Sequence, residues 1–504
     1  MDRSIRLRRE NTGETVRSAM LALALAIVFS LVFYTCNTPL GPAIGSDNAM
    51  YLTMGTALSQ GYAPYSDIFD HKGPLLFLLQ MVPQLLSGGY STLAVFFQEV
   101  LFLWVCLLML ARMARRLGVK AVLVQLIYLA IYAPLTDGGN LTEEYANLFT
   151  LAGLDVMLGV FGEGLTEEEE KRLTAPALCM GVMAMLCFMT RANNALVLVG
   201  ATGALALYLM AAKKWAGLGR CVLGFTVGCA LVTAPIVIWL VSQGALSDAI
   251  YGSLLHNMMY AETQGQSRVQ TLLFDSYGHY AIFMAVLACL GAACAAVRTR
   301  RVPLALAMVA GAACGGLAGF LSHKFYRHYL MLSVPMAALG AAQMLAIIRE
   351  RMAKRLRGIC CAAAAASLLV LIVSGVQTNA QREADHAVMQ TFTQDAQALY
   401  ALVPEDERDA FMAYRVEPKW YVAAQALPCM RFYFLQEILA DADPAVMDEI
   451  VETFETDPPK WLVIYYNREF GPPYDARVAE IFDTRYEFVA ARGGYQLKKL
   501  KEAP

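Results

Sequence analysis

The chain has 504 residues, 58% of them hydrophobic and only 16% charged, with a mean hydropathy of +0.47. That composition excludes an ordinary water-soluble globular protein and fits a chain with many membrane spans. A net charge of −2 gives no sign of a nucleic-acid partner. The twelve cysteines show neither metal-ligand spacing nor a disulfide framework, so apolar packing is their expected role.

Charge is unevenly placed along the chain. Residues 377–504 hold 13 basic and 22 acidic side chains, which leaves residues 1–376 at net +7. Two regions are expected: a membrane body over 1–376 and a water-soluble domain over 377–504.

In chain order, residues 1–17 hold five Arg, followed by about 19 apolar residues from Ser18 to Cys36. No small-x-small cleavage site follows, so an uncleaved first span is expected rather than a signal peptide. Further apolar segments lie at 93–111, 121–135, 145–161, 174–190, 195–212, 219–241, 279–297, 302–321, 328–347 and 358–376, about eleven spans in all. One set of connecting loops holds 22 Lys and Arg, the other five. The rich set is expected to face the cytoplasm. The N-terminus is then cytoplasmic and, with an odd number of spans, the C-terminal domain extracytoplasmic.

The first outer loop, 37–92, contains an unusual stretch at 46–78 with Asp47, Asp67, Asp70, His71 and Lys72 among aromatic and apolar residues. It is too polar to cross a bilayer and too apolar for a plain surface loop. Asp47 is placed to cap a helix over Asn48–Gln60. Gly61-Tyr62-Ala63-Pro64 breaks it, and Gly73-Pro74 starts a second helix, 75–86, expected at the membrane interface. A second outer loop, TDGGNLTEEYANLF, puts Glu143 and Glu144 at the head of a span. The outer region 242–278 holds His256, Asn257, Tyr260 and Glu262. The outer link HKFYRHYL holds Lys324, Arg327, His328 and Tyr329. The cytoplasmic run GLTEEEEKR, with Thr166 as a cap, reads as a solvated helix start without function.

Beyond the last span, an amphipathic helix from Asn379 to Leu402 is expected to leave the membrane. Short apolar runs at 409–415, 430–434, 460–466, 486–491 and 495–500 alternate with helical patterns at 444–456 and 475–482, which points to a small α/β domain. Trp420, Tyr421 and Trp461 could stack on sugars or pack in its core; packing is the expected role.

Asp47, Asp70, His71, Lys72, Glu143, Glu144, Lys324, Arg327 and His328 all fall on the outer side. Cations and carboxylates together suit a phosphorylated substrate with a hydroxyl partner: Lys and Arg neutralise phosphate, and a carboxylate takes the proton of an attacking hydroxyl. Each residue also has a structural reading: Asp47 as a helix cap, Lys72 as a snorkelling anchor, Glu143 and Glu144 as a span-entry cap, His328 and Tyr329 as interfacial anchors.

Taken together, Asp47-Asn48-Ala49-Met50-Tyr51, Gly61-Tyr62-Ala63-Pro64-Tyr65, Phe69-Asp70-His71-Lys72-Gly73-Pro74-Leu75, Thr142-Glu143-Glu144 and Arg327-His328-Tyr329-Leu330 resemble the GT-C superfamily of membrane glycosyltransferases. The likeness is greatest to the bacterial protein-mannosyltransferase-like and aminoarabinose-transferase-like branch (families 39 and 83), and the layout resembles it over the whole chain. The resemblance implies an α-helical polytopic protein with a C-terminal extracytoplasmic domain. It implies transfer of a sugar from a polyprenyl-phosphate donor, usually with inversion, to an extracytoplasmic glycan, lipid or protein. It also implies Asp47 as the catalytic base, Lys72 and Arg327 on the lipid phosphate, and Asp70 as an acidic position beside Lys72. Tyr51, His71, Glu143, Glu144, His256, Asn257, Lys324, His328 and Tyr329 are then candidate substrate-binding residues. No metal or other cofactor is required, although Asp47, Asp70 and His71 are residue types compatible with a divalent ion. Two departures stand out: many relatives have Asp-Glu where this chain has Asp47-Asn48, and Pro-Pro where it has Gly73-Pro74.

The rival functions are a transporter or flippase of a polyisoprenoid-linked or anionic substrate and a non-catalytic scaffold that binds cell-wall polymer. A transporter would gather polar residues at mid-membrane in related halves. Arg191-Ala192-Asn193-Asn194, at a span junction, is the feature that favours it.

Overall fold

The structure is a computed structural model that describes residues 12–161, 170–262, 267–299, 302–321, 324–465 and 475–502. The GLTEEEEKR run with Thr166 falls largely outside the described residues, as do the side chains of Tyr260 and Glu262.

Each of the eleven predicted apolar segments contains a helix. In chain order the helices are α1 (Thr12–Phe33), α2 (Ser46–Ser59), α3 (Pro74–Ser87), α4 (Thr92–Leu117), α5 (Ala121–Tyr132), α6 (Thr142–Phe161), α7 (Thr174–Thr190), α8 (Leu196–Ala211) and α9 (Trp215–Ser242). They continue with α10 (Leu246–Ile250), α11 (Asn257–Glu262), α12 (Arg268–Phe274), α13 (Ser276–Thr299), α14 (Val302–Gly319), α15 (Val334–Arg351) and α16 (Ala353–Tyr400). Among the described residues eight helices are long and apolar enough to cross a membrane, and the chain is a multi-pass membrane protein. Of the remaining predicted spans, α5 and α7 are shorter, and α6 carries Glu143, Glu144 and Asp155.

Small residues let these helices meet closely, as expected where lipid offers no hydrophobic drive. A Cβ at Gly181 in α7 would strike the Phe225 carbonyl, and one at Gly228 in α9 the Leu178 carbonyl.

In the 37–92 loop, Gly45 is the N-cap of α2, and Asp47 makes no capping hydrogen bond. The expectation of Asp47 as cap is therefore corrected: it sits in the first turn, where its charge meets the positive helix end. Gly61, at φ +95°, ends the break after α2. Pro74 opens α3 with Gly73 as its N-cap, as the Gly-Pro pair requires.

The last apolar helix does not stop at residue 376. α16 runs unbroken for 48 residues, so the amphipathic stretch from Asn379 is its continuation rather than a separate helix. Beyond it lie β1 (Phe411–Tyr414), α17 (Lys419–Ala424), α18 (Gln436–Ala442), α19 (Ala445–Thr456), β2 (Trp461–Tyr465), α20 (Ala476–Arg485), β3 (Tyr486–Arg492) and β4 (Tyr495–Leu500). The sheet order is β1-β2-β4-β3, with β1 and β2 parallel and the other pairs antiparallel. Gly493 and Gly494, both at positive φ, close the β3–β4 hairpin, where two left-handed residues match the strand twist.

The run 430–434 is not a strand. It bonds to the 46–78 stretch instead: Phe69 N donates to Arg431 O (2.9 Å), Arg431 Nε to Tyr65 O (2.7 Å) and Tyr433 Oη to Met50 O (3.1 Å). As a result, α2, α3 and the C-terminal region share one apolar core that includes Tyr51, Tyr65, Phe69, Phe77, Phe411, Trp420, Tyr433 and Phe454. Trp420, Tyr421 and Trp461 are buried in it, which settles them as packing residues.

Candidate active site

Beside this shared core lies a cavity of about 720 Å³. Small-molecule sites typically occupy about 300–1,000 Å³. Of the predicted residues, Asp47, Tyr51, His71, Lys72, Glu143, Lys324, His328 and Tyr329 line it.

Lys72 is fixed by its own loop. Nζ donates to His71 Nε2 (3.2 Å), His71 Nδ1 faces Asp70 Oδ1 (3.2 Å), and Tyr65 Oη donates to the Lys72 carbonyl (2.7 Å). The ammonium lies 5.8 Å from the Tyr51 ring centroid, within cation–π range. Burial, then the Lys72 charge, pushes His71 down to about 4 against the pull of Asp70, so the imidazole is neutral at pH 7. Burial would raise Asp70, but Lys72 and His71 hold its carboxyl at about 2. Asp70 is thus a buried support behind Lys72 and does not line the cavity.

The departure Gly73-Pro74 has a steric cause. Gly73 N donates to Thr190 O (3.0 Å), and a Cβ on residue 73 would run into the Met189 carbonyl oxygen. This close approach sets Lys72 against the end of α7, where Arg191 follows. Arg191 lines the cavity; its Nη1 donates to Glu143 Oε1 (3.1 Å) and its Nη2 to Tyr329 Oη (3.3 Å), and its guanidinium stacks 4.6 Å from the Tyr329 ring centroid. In the sequence alone, Arg191 stands out only as a feature that favours a transporter. Its long distance along the chain from Lys72 hid the pairing.

Arg327 is exposed and does not line the cavity, contrary to its expected place beside Lys72. Its charge acts on Asp137. That carboxyl is held below the usual range by a hydrogen bond from His328, against burial, with Arg327 adding to the effect. Glu144 is buried and accepts from Asn140 N (3.0 Å) rather than facing the cavity. His256 is buried, 6.3 Å ring to ring from His71, and Asn257 donates to the His71 carbonyl (2.6 Å); neither lines the cavity.

The Asp47-Asn48 departure is also explained. Asn48 is buried and both donates to and accepts from Asn37 (3.1 and 3.2 Å) while accepting from Asn140 (2.6 Å). An ionised Glu could not donate in this amide ladder. Among the described residues no group of three His, Cys, Asp or Glu side chains could hold a metal, so Asp47, Asp70 and His71 do not form such a site.

No curated protein matches this chain in sequence. Among solved structures, the crystal structure of ArnT from Cupriavidus metallidurans bound to undecaprenyl phosphate is similar at TM-score 0.60 and 15% identity, over 97% of this chain and 98% of that one. Its apo state gives 0.61 at 14% identity over the same shares. The archaeal oligosaccharyltransferase AglB from Archaeoglobus fulgidus, in complex with an inhibitory peptide and a dolichol-phosphate, gives 0.48 at 13% identity, over 88% of this chain and 69% of that one. The chain therefore has the GT-C type of fold, as the ArnT structures do. Residues 9–370 match the family model described as "Putative competence-induced protein Ccs4 N-terminal domain", and the chain belongs to that family.

Proposed function

We propose that the chain is an integral-membrane glycosyltransferase that moves a sugar from a polyprenyl-phosphate donor to an acceptor outside the cytoplasm. The observation that carries this reading is the convergence of Lys72, Arg191 and the Asp47 carboxylate on one cavity, in a chain with the fold of ArnT. ArnT was solved with undecaprenyl phosphate bound, which supports a lipid phosphate as the partner of the two cations here. The membrane body is 1–376, crossing eleven times from a cytoplasmic N-terminus, and 377–504 is the extracytoplasmic domain.

In this scheme the lipid tail lies among the helices and the phosphate sits at Lys72 and Arg191. The acceptor oxygen attacks the anomeric carbon opposite the phosphate. The carbon–oxygen bond to phosphate breaks, and its electron pair leaves on the phosphate oxygen, which the cations stabilise. The acceptor proton passes to Asp47. Such a base contributes roughly 10²- to 10⁴-fold in rate.

The test is a donor screen on the full chain in lipid nanodiscs, with radiolabelled polyprenyl-phosphate sugars and host membrane extract. Wild type is expected to transfer or slowly hydrolyse one donor. Asp47→Asn is expected to bind that donor equally well and turn it over 10²-fold or more slowly. Equal turnover by both proteins removes Asp47 from the reaction, and no turnover with any donor defeats the glycosyltransferase reading.

A further inference from the structure

The mouth of the cavity carries side chains that the transfer step leaves unused. Tyr326 lines it and is 48% exposed. Its ring lies parallel to His328, centroids 5.6 Å apart and planes 5° apart. His328 is held from two other directions: Nδ1 is 3.1 Å from Asp137 Oδ2, and the Tyr329 ring meets it edge-on at 4.8 Å. Arg191 in turn fixes Tyr329. The Tyr326 ring is therefore a flat apolar shelf backed by ordered neighbours.

The facing wall comes from the C-terminal region. Arg415 and Glu437 pair at 3.3 Å, Gln436 accepts from Arg415 N, and Glu417 takes a hydrogen bond from Ser46 beside Asp47. The charges around the mouth are matched: Glu417 pairs with Lys419 at 2.6 Å, Glu437 with Arg415, and Arg327 acts on Asp137, while Asp441 and Lys324 also line the cavity. The inner end is different, with Lys72 and Arg191 ready for an anion. A mouth of matched charges offers an anionic acceptor no net attraction. An aromatic face in a cavity also lined by carboxylates suits a ring with apolar C–H faces and hydroxyl edges, because carboxylates accept from hydroxyls.

We infer that this mouth is an acceptor subsite for an uncharged sugar ring, which stacks on Tyr326 and turns a hydroxyl inward to Asp47. This rests on the glycosyltransferase reading and adds the class of acceptor: a neutral glycan. The matched rim charges give a phosphorylated lipid or glycan no advantage there.

The test uses the full chain in lipid nanodiscs over a printed surface of neutral oligosaccharides, phosphorylated or carboxylated oligosaccharides, and Ser/Thr-containing peptides, with and without undecaprenyl phosphate. Retention of labelled undecaprenyl phosphate is measured in parallel. Wild type is expected to bind neutral oligosaccharides in preference to the other two sets. Tyr326→Ala should weaken that binding about tenfold, and Tyr326→Phe should keep it within about twofold, as loss of one aromatic contact predicts. Lipid retention should match wild type in both variants, and the exposure of Tyr326 makes misfolding an inadequate explanation of a loss. Preference for anionic oligosaccharides or peptides, no binding of neutral ones, or an unaffected Tyr326→Ala would overturn the inference. Neutral-glycan binding that depends on Tyr326, in a protein that does not retain undecaprenyl phosphate, supports the subsite and strikes the donor reading instead.

Discussion

Gly73 hands its backbone N–H to the carbonyl of Thr190 at 3.0 Å, which ties the residue after Lys72 to the residue before Arg191, and both cations line one cavity. Neither cation is placed by its own helix. Their pairing depends on a contact that only glycine allows, since any Cβ at residue 73 would strike the Met189 carbonyl.

Gly73→Ala should therefore separate the cations. Overpacking of this kind costs about 1–3 kcal/mol. The expected outcome is a lower unfolding temperature in nanodiscs together with at least tenfold weaker retention of undecaprenyl phosphate. A variant that retains the lipid as wild type does would uncouple the contact from the site.

Arg191 and Glu143 can be tested as a pair. Arg191→Ala leaves Glu143 buried without its cation, a change worth about 3–5 kcal/mol for a buried pair. Arg191→Met with Glu143→Gln should recover most of the stability but not the lipid binding. Arg191→Lys keeps the charge and loses the fork that reaches both Glu143 and Tyr329, so weaker lipid binding is expected there as well. Thermal unfolding and lipid retention, measured on the same preparations, separate the two effects.

The loop that carries Lys72 should be acid-sensitive. His71 is lowered in the folded state from 6.5 to about 4, so the unfolded chain binds the extra proton first, and stability falls as pH drops through that interval. Asp70 is lowered from 3.8 to about 2; its contribution is present above 3.8 and is lost as pH falls towards 2. Unfolding temperature measured from pH 7 to 4 should decline in wild type and decline less in His71→Gln. Parallel curves would show that His71 does not titrate in this way.

Arg431 ties the outer loop to the C-terminal region. It donates to Tyr65 O, pairs with Glu449 at 3.0 Å and Asp248 at 3.5 Å, and lies over the Phe69 and Phe432 rings. Arg431→Ala should lower stability by about 1.5–3 kcal/mol, in the range for hydrogen bonds to charged groups. It should also open the 61–73 loop to protease. Cleavage no faster than in wild type would mean that the loop holds without this anchor.

Much of the architecture was legible because apolar length reports helices directly, and Gly73-Pro74 marks a helix start by backbone chemistry. Part of the cavity lining was legible as a set of charged residues in loops. What the chain order could not convey was direction. Arg327 and His328 are neighbours, yet one faces out and the other lines the cavity. Arg191 lay in a different loop from Lys72, joined only through a backbone contact. The run 430–434 has the composition of a strand, but its hydrogen-bonding groups are claimed by Tyr65, Phe69 and Met50.

The match to the family model stops at residue 370, inside α16, while the core that seats Tyr51 and Phe69 draws on residues as far along as Leu497. The unit that sequence comparison recognises and the unit that buries the loop before Lys72 are thus not the same. A protein trimmed to the recognised unit would sever a continuous helix and leave one side of the loop facing water. The trailing 130 or so residues are less an appendage than the second half of the mould in which the site is cast.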